Sequence, residues 1–521
     1  MLSLPLVFSI LSLLTTFGIC LYRLYFHPLA PYPGPLFARL TDWYAVYHTY
    51  MGDLHIDIWR LILALIIGDV VRYGPNRLVF NTEPALKGIY GHGANVLKSK
   101  GYEKVSLLSG VHSSIATLDN TKHKGFRRLL TQGLSDAYIR SMDSKMTKIA
   151  ASFARIVEEK QDRHVTAAGK QPALEAEEGW SVPKNMTHWC DYFTFDMMSE
   201  LVFGSSYDLL QDSQNHFIID GITAQMHRFG FLLNFPGLET MGMNHILFPS
   251  ARGKALRFYA KSKQIMEERK ARKGEMKDDV LSNLLTATDP ETGESFSNQQ
   301  LWIESNLLII AGSDTSSTAM AALFFYLCRN PAAYDRVTKE VRGVFQRADE
   351  ISQGPKLSSC SYLRACIQEA LRLCPPVTGP LWRQVLSGGL TISGHTIPAG
   401  YEVGTGFWSL NRSEKYYTAP LEFQPERWVS ESTGADQLGL ARAAFASFSV
   451  GPRNCVGKGL AIMELMLGMA AVIAQYDFRP ARDTRLARVG EGEGASKGQF
   501  QTFWGFTSAK DGPYIEYRAV R

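Results

Sequence analysis

A single cysteine, Cys455, stands directly before a predicted helix near the carboxyl end of the chain. At a helix start a thiol meets unpaired backbone N–H groups and the positive end of the helix dipole, and both favour the thiolate. Gly451 and Gly457 remove side chains where a large planar ligand must lie close to the backbone. Arg453 is placed to pair with a carboxylate on that ligand. The segment therefore predicts a thiolate site for a planar ligand.

Two other interpretations of this segment are a loop around a buried cysteine and a phosphate-binding loop. The phosphate loop fails because Gly451 lies one residue too far from Gly457, and Gly459 stands where a Ser or Thr would bind magnesium. The chain has seven cysteines without a C-x-x-C pair, which is not a disulfide framework and suits a reducing compartment. The net charge of +5 is too weak to indicate a nucleic-acid partner.

Residues 4–22 at the amino end carry no charge and are dominated by Leu, Ile, Val and Phe. A helix of this length crosses a hydrocarbon core of about 30 Å. A cleaved signal peptide is the alternative, but it requires a basic start, and here Arg23 and Arg39 instead follow the apolar run. We therefore predict a membrane anchor over residues 1–24, with the bulk of the protein on the cytosolic side by the positive-inside rule.

Closely spaced prolines follow the anchor, in the stretch H-P-L-A-P-Y-P-G-P. Proline fixes φ and removes a backbone donor, so the pattern predicts a stiff, extended linker over residues 25–40. Beyond it we expect one domain over residues 41–521, mainly α with small β-sheets. Hairpin patterns occur over residues 70–80 and 390–400, and a polar surface loop is predicted over residues 160–178.

The ten residues 448–457 follow the pattern F-x-x-G-x-R-x-C-x-G. This pattern resembles the haem-binding signature of the cytochrome P-450 family, the haem-thiolate monooxygenases. The resemblance implies the cytochrome P-450 fold and haem b (iron protoporphyrin IX) as the cofactor. It also implies that Cys455 is the axial ligand of the haem iron, with Phe448, Arg453 and Gly457 around the cofactor.

Three further residues resemble the family's buried Glu–Arg–Arg triad. Glu369 and Arg372 lie at i and i+3, on one face of a predicted helix. Alone, such a pair is a common surface ion pair. Arg427, in the segment F-Q-P-E-R-W, matches the arginine that completes the triad. The resemblance gives these residues a structural role that supports the haem pocket.

Residues 301–328 form a long apolar stretch that is interrupted by A-G-S-D-T-S. A second membrane span is the alternative, but Glu304 and Asp314 are costly in lipid and argue against it. The stretch resembles the helix that crosses the distal face of the haem. Asp314 and Thr315 then match the catalytic pair that relays protons there, and Gly312 matches the position that lets oxygen and substrate approach.

Three basic residues match positions that contact the haem propionates in the family. His123 and Arg127 lie in H-K-G-F-R, where the family has W-x-x-x-R, and Arg383 lies in L-W-R. The alternative for each of them is an ordinary surface ion.

The chain has no G-x-G-x-x-G pattern after a predicted strand, and therefore no visible flavin or nicotinamide site of its own. The resemblance implies that electrons come from NADPH through a separate flavoprotein reductase. Four basic residues near the expected proximal face are candidates for docking this acidic partner, with a solvated surface as the alternative: Lys122, Lys124, Arg128 and Lys458.

The style of the motifs is most similar to filamentous-fungal microsomal members, many of which belong to secondary-metabolite pathways. This resemblance implies a monooxygenase in the endoplasmic reticulum membrane that oxidises a lipophilic small molecule. Two alternatives keep the haem: oxidative coupling of aromatic substrates, and rearrangement without oxygen insertion. A third is a non-enzymatic membrane protein that binds haem or sterol. The predicted pocket stretches are largely apolar: residues 106–116, 307–311, 377–381 and 502–506.

One stretch departs from the family's pattern. Residues 61–67 read L-I-L-A-L-I-I where related chains carry a polar H-x-K-Y-G segment. These seven apolar residues are too few to cross a bilayer. Two explanations stand side by side: the stretch dips into the membrane beside the anchor, or it reflects an error in the sequence.

Overall fold

Helices make up most of the computed structural model, which describes residues 3–64, 68–105, 110–157, 177–271, 279–430, 432–493 and 497–520. The first eight helices are α1 (Leu4–Leu21), α2 (Leu36–Leu40), α3 (Trp43–Met51), α4 (Leu54–Ala64), α5 (Glu83–Tyr90), α6 (Asn120–Gly133), α7 (Asp136–Ser141) and α8 (Asp143–Val157). The next seven are α9 (Met186–Phe203), α10 (Phe217–Asn234), α11 (Gly237–Thr240), α12 (Met243–Leu247), α13 (Pro249–Ala271), α14 (Val280–Thr286) and α15 (Asn298–Arg329). The last seven are α16 (Pro331–Val344), α17 (Pro355–Ser359), α18 (Ser361–Leu373), α19 (Phe407–Leu410), α20 (Ala435–Ala444), α21 (Lys458–Gln475) and α22 (Thr484–Ala487).

The strands are short and form four small sheets. They are β1 (Val70–Gly74), β2 (Arg77–Phe80), β3 (Val96–Lys98), β4 (Lys184–Asn185), β5 (Arg383–Val385), β6 (Leu390–Ile392), β7 (His395–Ile397), β8 (Glu402–Thr405), β9 (Tyr476–Pro480), β10 (Thr502–Phe503), β11 (Ala509–Lys510) and β12 (Tyr514–Ala519). The largest sheet has the order β1-β2-β8-β5-β3, and the others are β4-β12-β9, β6-β7 and β10-β11. The observed architecture confirms the predicted mainly α fold with small β-sheets.

The five-stranded sheet is closed by pairing between distant parts of the chain. Strands β2 and β8 run parallel, with Arg77 opposite Glu402. The same two residues form an ion pair, with 2.6 Å between Arg77 Nε and Glu402 Oε2. Strand β5 pairs with both β8 and β3, which brings Arg383 opposite Lys98. The sheet therefore places two basic residues side by side at its edge.

The main core lies where four helices pack together: α9, α15, α18 and α21. Helix α15 is the longest of the described helices, and most of its residues are buried. Its apolar composition is therefore explained by the core. A second apolar cluster lies between the five-stranded sheet and helices α5 and α20.

Both predicted hairpins are present in the structure. In the first, Val70 pairs with Phe80, and in the second, Leu390 pairs with Ile397. The predicted surface loop over residues 160–178 lies mostly outside the described residues, as do the last three residues of the apolar stretch 61–67. The first four residues of that stretch belong to α4.

The proline stretch differs from the predicted extended linker. Its backbone turns, with Ala30 N–H donating to His27 O at 2.7 Å, and Leu29 is fully buried. The Pro33 carbonyl accepts a hydrogen bond of 2.7 Å from the Arg72 amide of β1. Helix α2 occupies the end of the predicted linker range. Burial of Leu29 and the bond to β1 hold the segment against the body, and this long-range packing is not readable from proline spacing.

Three of the described helices are long and apolar enough to cross a membrane, over Leu4–Phe26, Asn298–Arg329 and Lys458–Gln475. The second and third are mostly buried inside the protein, whereas the first has no buried residue in its apolar window. Helix α1 continues into a short π-helical turn, Tyr22–Phe26. The exposed apolar helix at the amino end is therefore the candidate membrane anchor.

Candidate active site

Cys455 lies in the loop before α21, at the wall of an internal cavity of about 330 Å³. Its amide donates to Phe448 O at 3.0 Å, which closes the loop, and its side chain is exposed to the cavity. A volume of this size is in the range of ligand pockets, roughly 300–1,000 Å³. The loop thus presents a thiol to a space that is large enough for a ligand.

The electrostatics of Cys455 differ in part from the expectation for a thiol at a helix start. Burial raises the pKa of the thiol, while the Gly457 amide, Arg127 and Lys458 lower it. The net pKa lies above the usual value. A metal cation at the sulfur would overcome this cost, because a coordinating thiol is deprotonated outright. The site therefore suits a metal-bound thiolate better than a free one.

The two glycines of the loop have different roles. Gly457 lines the cavity, and a Cβ there would meet open space, so its absence leaves room at the wall. Gly451 has φ +73°, and a Cβ there would lie 2.0 Å from Tyr90 O. The sequence-based expectation for Gly451 is therefore corrected: the residue admits the backbone of α5 and does not line the described cavity.

The cavity wall is largely apolar and draws on several parts of the chain. Helix α15 contributes residues from Leu307 to Ala319, and α21 contributes Leu460 to Leu465. Three of the predicted pocket stretches supply Ile115, Val377 and Phe506, among others. The sequence reasoning missed the side chains from α6 and the residue after it, and from α9 and α10: Leu130, Leu134, Met198, Met226 and Phe229.

Basic residues collect at one part of the cavity wall. Lys98, His123, Arg127 and Arg453 all line the cavity. Burial and the positive charge of Arg453, Lys98, Arg127 and Arg383 lower the pKa of His123 to about 3. Burial and Arg383 lower the pKa of Arg453 to about 10. Positive groups thus repel one another here, and an anionic ligand would relieve that repulsion.

Protein hydrogen bonds hold the arginines in place. Arg453 Nη1 donates to Thr117 O at 2.7 Å and its Nη2 to Leu118 O at 2.8 Å. Arg127 donates to Asn454 O at 2.5 Å and to Asn454 Oδ1 at 2.8 Å. Arg383 is buried on β5 and acts on the cluster through its charge, but it does not line the described cavity wall. Lys98, opposite Arg383 in the sheet, does line the cavity. The sequence analysis did not predict Lys98 as a site residue, because one lysine in a short strand carries no sequence signal.

Thr315 and Asp314 lie side by side on α15 but face different surroundings. Thr315 lines the cavity, and its hydroxyl donates to Ala311 O at 2.6 Å. Asp314 lines a separate small pocket with Asp191 and Ser313. Burial raises the pKa of Asp314, although Lys510 and Thr507 lower it. The two residues are therefore adjacent in sequence, but only Thr315 reaches the main cavity among the residues described.

Thr507 connects the two sides. Its hydroxyl donates to Asp314 Oδ2, and Thr507 itself lines the main cavity. Lys510 donates to Asp191 Oδ1 at 2.8 Å and to Ser317 Oγ at 3.0 Å. A polar route thus leads from the cavity through Thr507 to Asp314. No sequence motif indicated Thr507, since it lies on a loop between two short strands.

At Gly312 the structure shows a close neighbour, and the predicted role of this glycine in letting oxygen and substrate approach stays a prediction. A Cβ at this position would lie 2.6 Å from Met198 Cε and Met198 Sδ. The glycine therefore admits the Met198 side chain from α9, and both residues line the cavity.

The structure brings Glu369, Arg372 and Arg427 together, fully inside the protein. Arg372 Nη2 lies 2.8 Å from Glu369 Oε1, and Arg427 Nε lies 3.0 Å from the same oxygen. Trp428 Nε1 donates to Glu369 Oε2 at 2.9 Å. Burial acts to raise the pKa of Glu369, but the two arginines outweigh it and the pKa stays below its usual value.

This triad supports the site from a distance. Arg372 also donates to the carbonyls of Asn411 and Pro420, each at 2.7 Å. Next to it on α18, Leu371 lines the cavity and accepts a hydrogen bond of 2.8 Å from Ser447 Oγ, just before the cysteine loop. Helix α18, which carries two members of the triad, is thus bonded directly to the residue that precedes the cysteine loop.

The four basic residues that are candidates for docking a reductase differ in whether acidic side chains already neutralise their charge. Lys124 pairs with Glu291 at 3.2 Å, and Arg128 binds both Asp289, at 2.5 Å, and Glu291, at 2.9 Å. Their charge is thus largely neutralised. Lys122 and Lys458 form no ion pair with the described residues.

Comparison with known proteins agrees with this geometry. The family model for cytochrome P450 matches residues 74–498. The cytochrome P450 monooxygenase apf7 of Gibberella fujikuroi is 53% identical over 512 residues, which cover 96% of each chain. The cytochrome P450 monooxygenase atnE of Emericella nidulans is 38% identical, over 96% of this chain and 93% of the relative.

The crystal structure of the cytochrome P450DA heme domain has the same fold, with a TM-score of 0.73 at 17% identity. It covers 94% of this chain and 98% of the other. The family model and these relatives show that the chain is a haem-thiolate monooxygenase. The chain belongs to the cytochrome P450 family.

Proposed function

We propose that this protein is a monooxygenase that uses dioxygen and reductase-supplied electrons to oxidise a lipophilic small molecule in fungal secondary metabolism. The observation that carries the proposal is one cavity that joins a thiol, an apolar wall and a cluster of cations. The apolar wall from α9, α10 and α15 favours a lipophilic substrate.

The residues present fit haem b. Cys455 would bind its iron through the sulfur, Gly457 and Phe448 would lie beside it, and the cluster of basic residues would hold its propionates. Within that cluster, Arg127 and Arg453 line the cavity as cations, His123 lines it as a neutral side chain because its pKa is lowered to about 3, and Arg383 adds charge from behind. A thiolate-bound haem iron supplies the activation of dioxygen.

Protons at the site are handled by side chains of α15 and its neighbours. The Thr315 hydroxyl donates to Ala311 O, so its oxygen is free to accept a hydrogen bond from within the cavity. Asp314 holds a proton more readily than a free carboxyl, because it is buried. We propose that Asp314 passes protons to the cavity beside Thr315, with Thr507 as the connecting hydroxyl.

The electron partner is proposed to be an NADPH-dependent flavoprotein reductase. Of the four basic residues considered above, Lys122 and Lys458 have the charge available for an acidic partner. We further propose a single-pass anchor in the endoplasmic reticulum membrane with the catalytic domain on the cytosolic side. The support is the exposed helix α1, followed by Arg23 and Arg39.

The test is the optical spectrum of the reduced, carbon monoxide-bound protein in wild type and in Cys455→Ala. We expect the red-shifted Soret band of a thiolate ligand in the wild type and its complete loss in the variant, because alanine has no ligand atom. Cys20→Ala is the matched control, since Cys20 lies in α1, away from the cavity, and should keep the band. Folded, haem-loaded wild type without the band would contradict the proposal.

A further inference from the structure

Two polar residues of α15 form hydrogen bonds with a segment of the cavity wall, residues 112–115, that has no helix or strand. Gln300 and Glu304 lie one turn apart on α15 and face residues 112–114. Ser114 donates twice to Glu304, from its amide to Oε1 at 2.6 Å and from its hydroxyl to Oε2 at 2.8 Å. Gln300 Nε2 donates to His112 O at 3.1 Å and to Glu304 Oε1 at 2.9 Å.

The segment of residues 112–115 forms part of the cavity wall. Ser113, Ser114 and Ile115 all line it. The segment is held from a second side by Lys98 of β3, whose Nζ donates to Ile115 O at 2.6 Å. Since residues 112–115 carry no regular secondary structure, these side-chain hydrogen bonds from α15 and β3 hold the segment in position.

Glu304 is fully buried, and its hydrogen-bond donors favour the carboxylate form. Both oxygens accept hydrogen bonds from neutral donors, and Lys98, whose own pKa is lowered by burial and by Arg383 and Arg453, also favours the charged form. Burial opposes these contributions and raises the pKa of Glu304 to about 7. On protonation Glu304 loses its negative charge, and an O–H at Oε2 must donate to the Ser114 hydroxyl where the carboxylate accepted from it. Hydrogen bonds to a charged acceptor are the stronger ones, so the hold on residues 112–114 weakens as the pH falls below neutrality.

We propose that Glu304 is a positioning residue which, together with Gln300, fixes the wall of residues 112–115 and thereby sets the size of molecule that the cavity accepts. The inference rests on the proposed function, because it takes the cavity to be the substrate pocket of a monooxygenase. The hydrogen bonds from Glu304 and Gln300 to this segment do not depend on the proposed function, and their effect is measurable without turnover.

The first test is amide hydrogen exchange of residues 112–117 in wild type, Glu304→Gln and Ser114→Ala. We expect exchange to rise by roughly tenfold in both variants, as for the loss of one hydrogen bond to a charged group. In the wild type, after correction for intrinsic rates, exchange should be faster at pH 6 than at pH 8. Glu304→Gln should remove this pH dependence because glutamine does not titrate.

The second test measures the optical binding of imidazole and of the bulkier phenylimidazole to the ferric, haem-loaded enzyme. Glu304→Gln should change the ratio of the two affinities by several-fold, because a loosened wall affects the larger probe more. The matched control is Asp196→Asn, since Asp196 is also a buried acid that accepts two backbone amides, of Leu209 and Leu210. It lies outside the described cavity wall and should leave the ratio unchanged.

An unchanged exchange rate, or faster exchange with an unchanged affinity ratio, would overturn the proposal, as would an equal effect of Asp196→Asn. Failure of the proposed function is distinguishable, because it removes the carbon monoxide band from the wild type. In that case hydrogen exchange still decides whether Glu304 holds the wall.

Discussion

At the scale of single residues, two fully buried glutamates show how surroundings decide the charge of the same side chain. Glu304 receives three hydrogen bonds. Glu464 lines the cavity and makes no hydrogen bond with the described residues, although the Ser316 hydroxyl favours its charged form. Burial raises the pKa of Glu464 to about 8. Glu464 therefore stays mostly protonated at neutral pH, as a neutral acid in the cavity wall.

This difference predicts a pH-dependent effect of Glu464→Gln on stability. The folded protein holds the Glu464 proton up to about pH 8, whereas an unfolded chain releases it near the usual glutamate pKa of 4.5. Wild-type stability therefore falls as the pH rises through this window, by a few kcal/mol in order of magnitude. Glutamine does not titrate, so the variant should gain melting temperature over the wild type at pH 8.5 but not at pH 5.

Thermal unfolding of haem-loaded protein at the two pH values measures this gain. The exposed Glu422→Gln is the control and should show the same difference at both. A gain that is independent of pH would contradict the assignment of a neutral Glu464.

At the scale of elements, helix α18 shows how one buried ion cluster ties a helix to distant loops. Glu369 and Arg372 are both fully buried on its inner face. Arg427 and Trp428 reach the same carboxylate from a 3-10 turn, Pro425–Trp428. The carbonyls bound by Arg372 belong to loops more than one element away. The cluster thus orders a stretch that has little regular structure before the cysteine loop begins.

We predict that Glu369→Gln destabilises the protein by about 3–5 kcal/mol, because it leaves two buried guanidinium groups without their carboxylate. The haem-loaded fraction after expression should fall with it, since the loop before Cys455 loses its support. Denaturant unfolding and the ratio of haem to protein absorbance measure the two effects.

Glu340→Gln is a suitable control for this change. Glu340 also accepts two backbone amides at the start of α18, those of Tyr362 and Leu363, each at 2.8 Å, but it carries no buried arginine partner. It should cost less stability and leave haem loading near that of the wild type. Equal losses in both variants would contradict a special role for the triad.

At the scale of the whole molecule, the apolar residues divide between an enclosed core and one exposed helix. Helices α15 and α21 are apolar because they run through the core, whereas α1 is apolar with no protein around it. The body begins to hold the chain just after α1, where Arg72 Nη1 donates to Arg23 O at 2.8 Å. The exposed helix is thus separable from the body at residue 22.

We predict that deletion of residues 2–21 leaves the carbon monoxide band and the melting temperature of the body nearly unchanged. The same deletion should abolish resistance to extraction from membranes by alkaline carbonate, because the remaining apolar helices are enclosed by protein. Centrifugation after carbonate treatment measures the result. A shortened protein that still resists extraction would show a second spanning segment and contradict the single anchor.

The sequence predicted the position of several site residues because they lie in one local pattern. Arg453, Cys455 and Gly457 lie within one five-residue segment, and the structure places all of them at the cavity. The triad was also predictable, because its members lie in short segments of recognisable form. The placement of Asp314 was not, since neighbouring helix residues point in different directions and only the packed neighbours decide which one faces the cavity.

Residues without a motif were beyond the reach of sequence reasoning. Lys98, Thr507 and Glu464 reach the same cavity from a strand, a loop and a helix far apart in the chain. Each is a single polar residue in otherwise ordinary surroundings. Their importance arises only from burial and from the groups opposite them, such as Asp314 for Thr507.

By itself the sequence determined the family resemblance, the mainly helical fold and the apolar helix at the amino end, because these depend on local patterns of composition and spacing. Tertiary structure alone decided which side chains surround the cavity. It also decided that Gly451 leaves room for the backbone of α5, and that Glu304 accepts hydrogen bonds from Ser114 in the cavity wall. The physical reason is that burial, charge and hydrogen bonding at a site are set by residues that meet only when distant segments pack together.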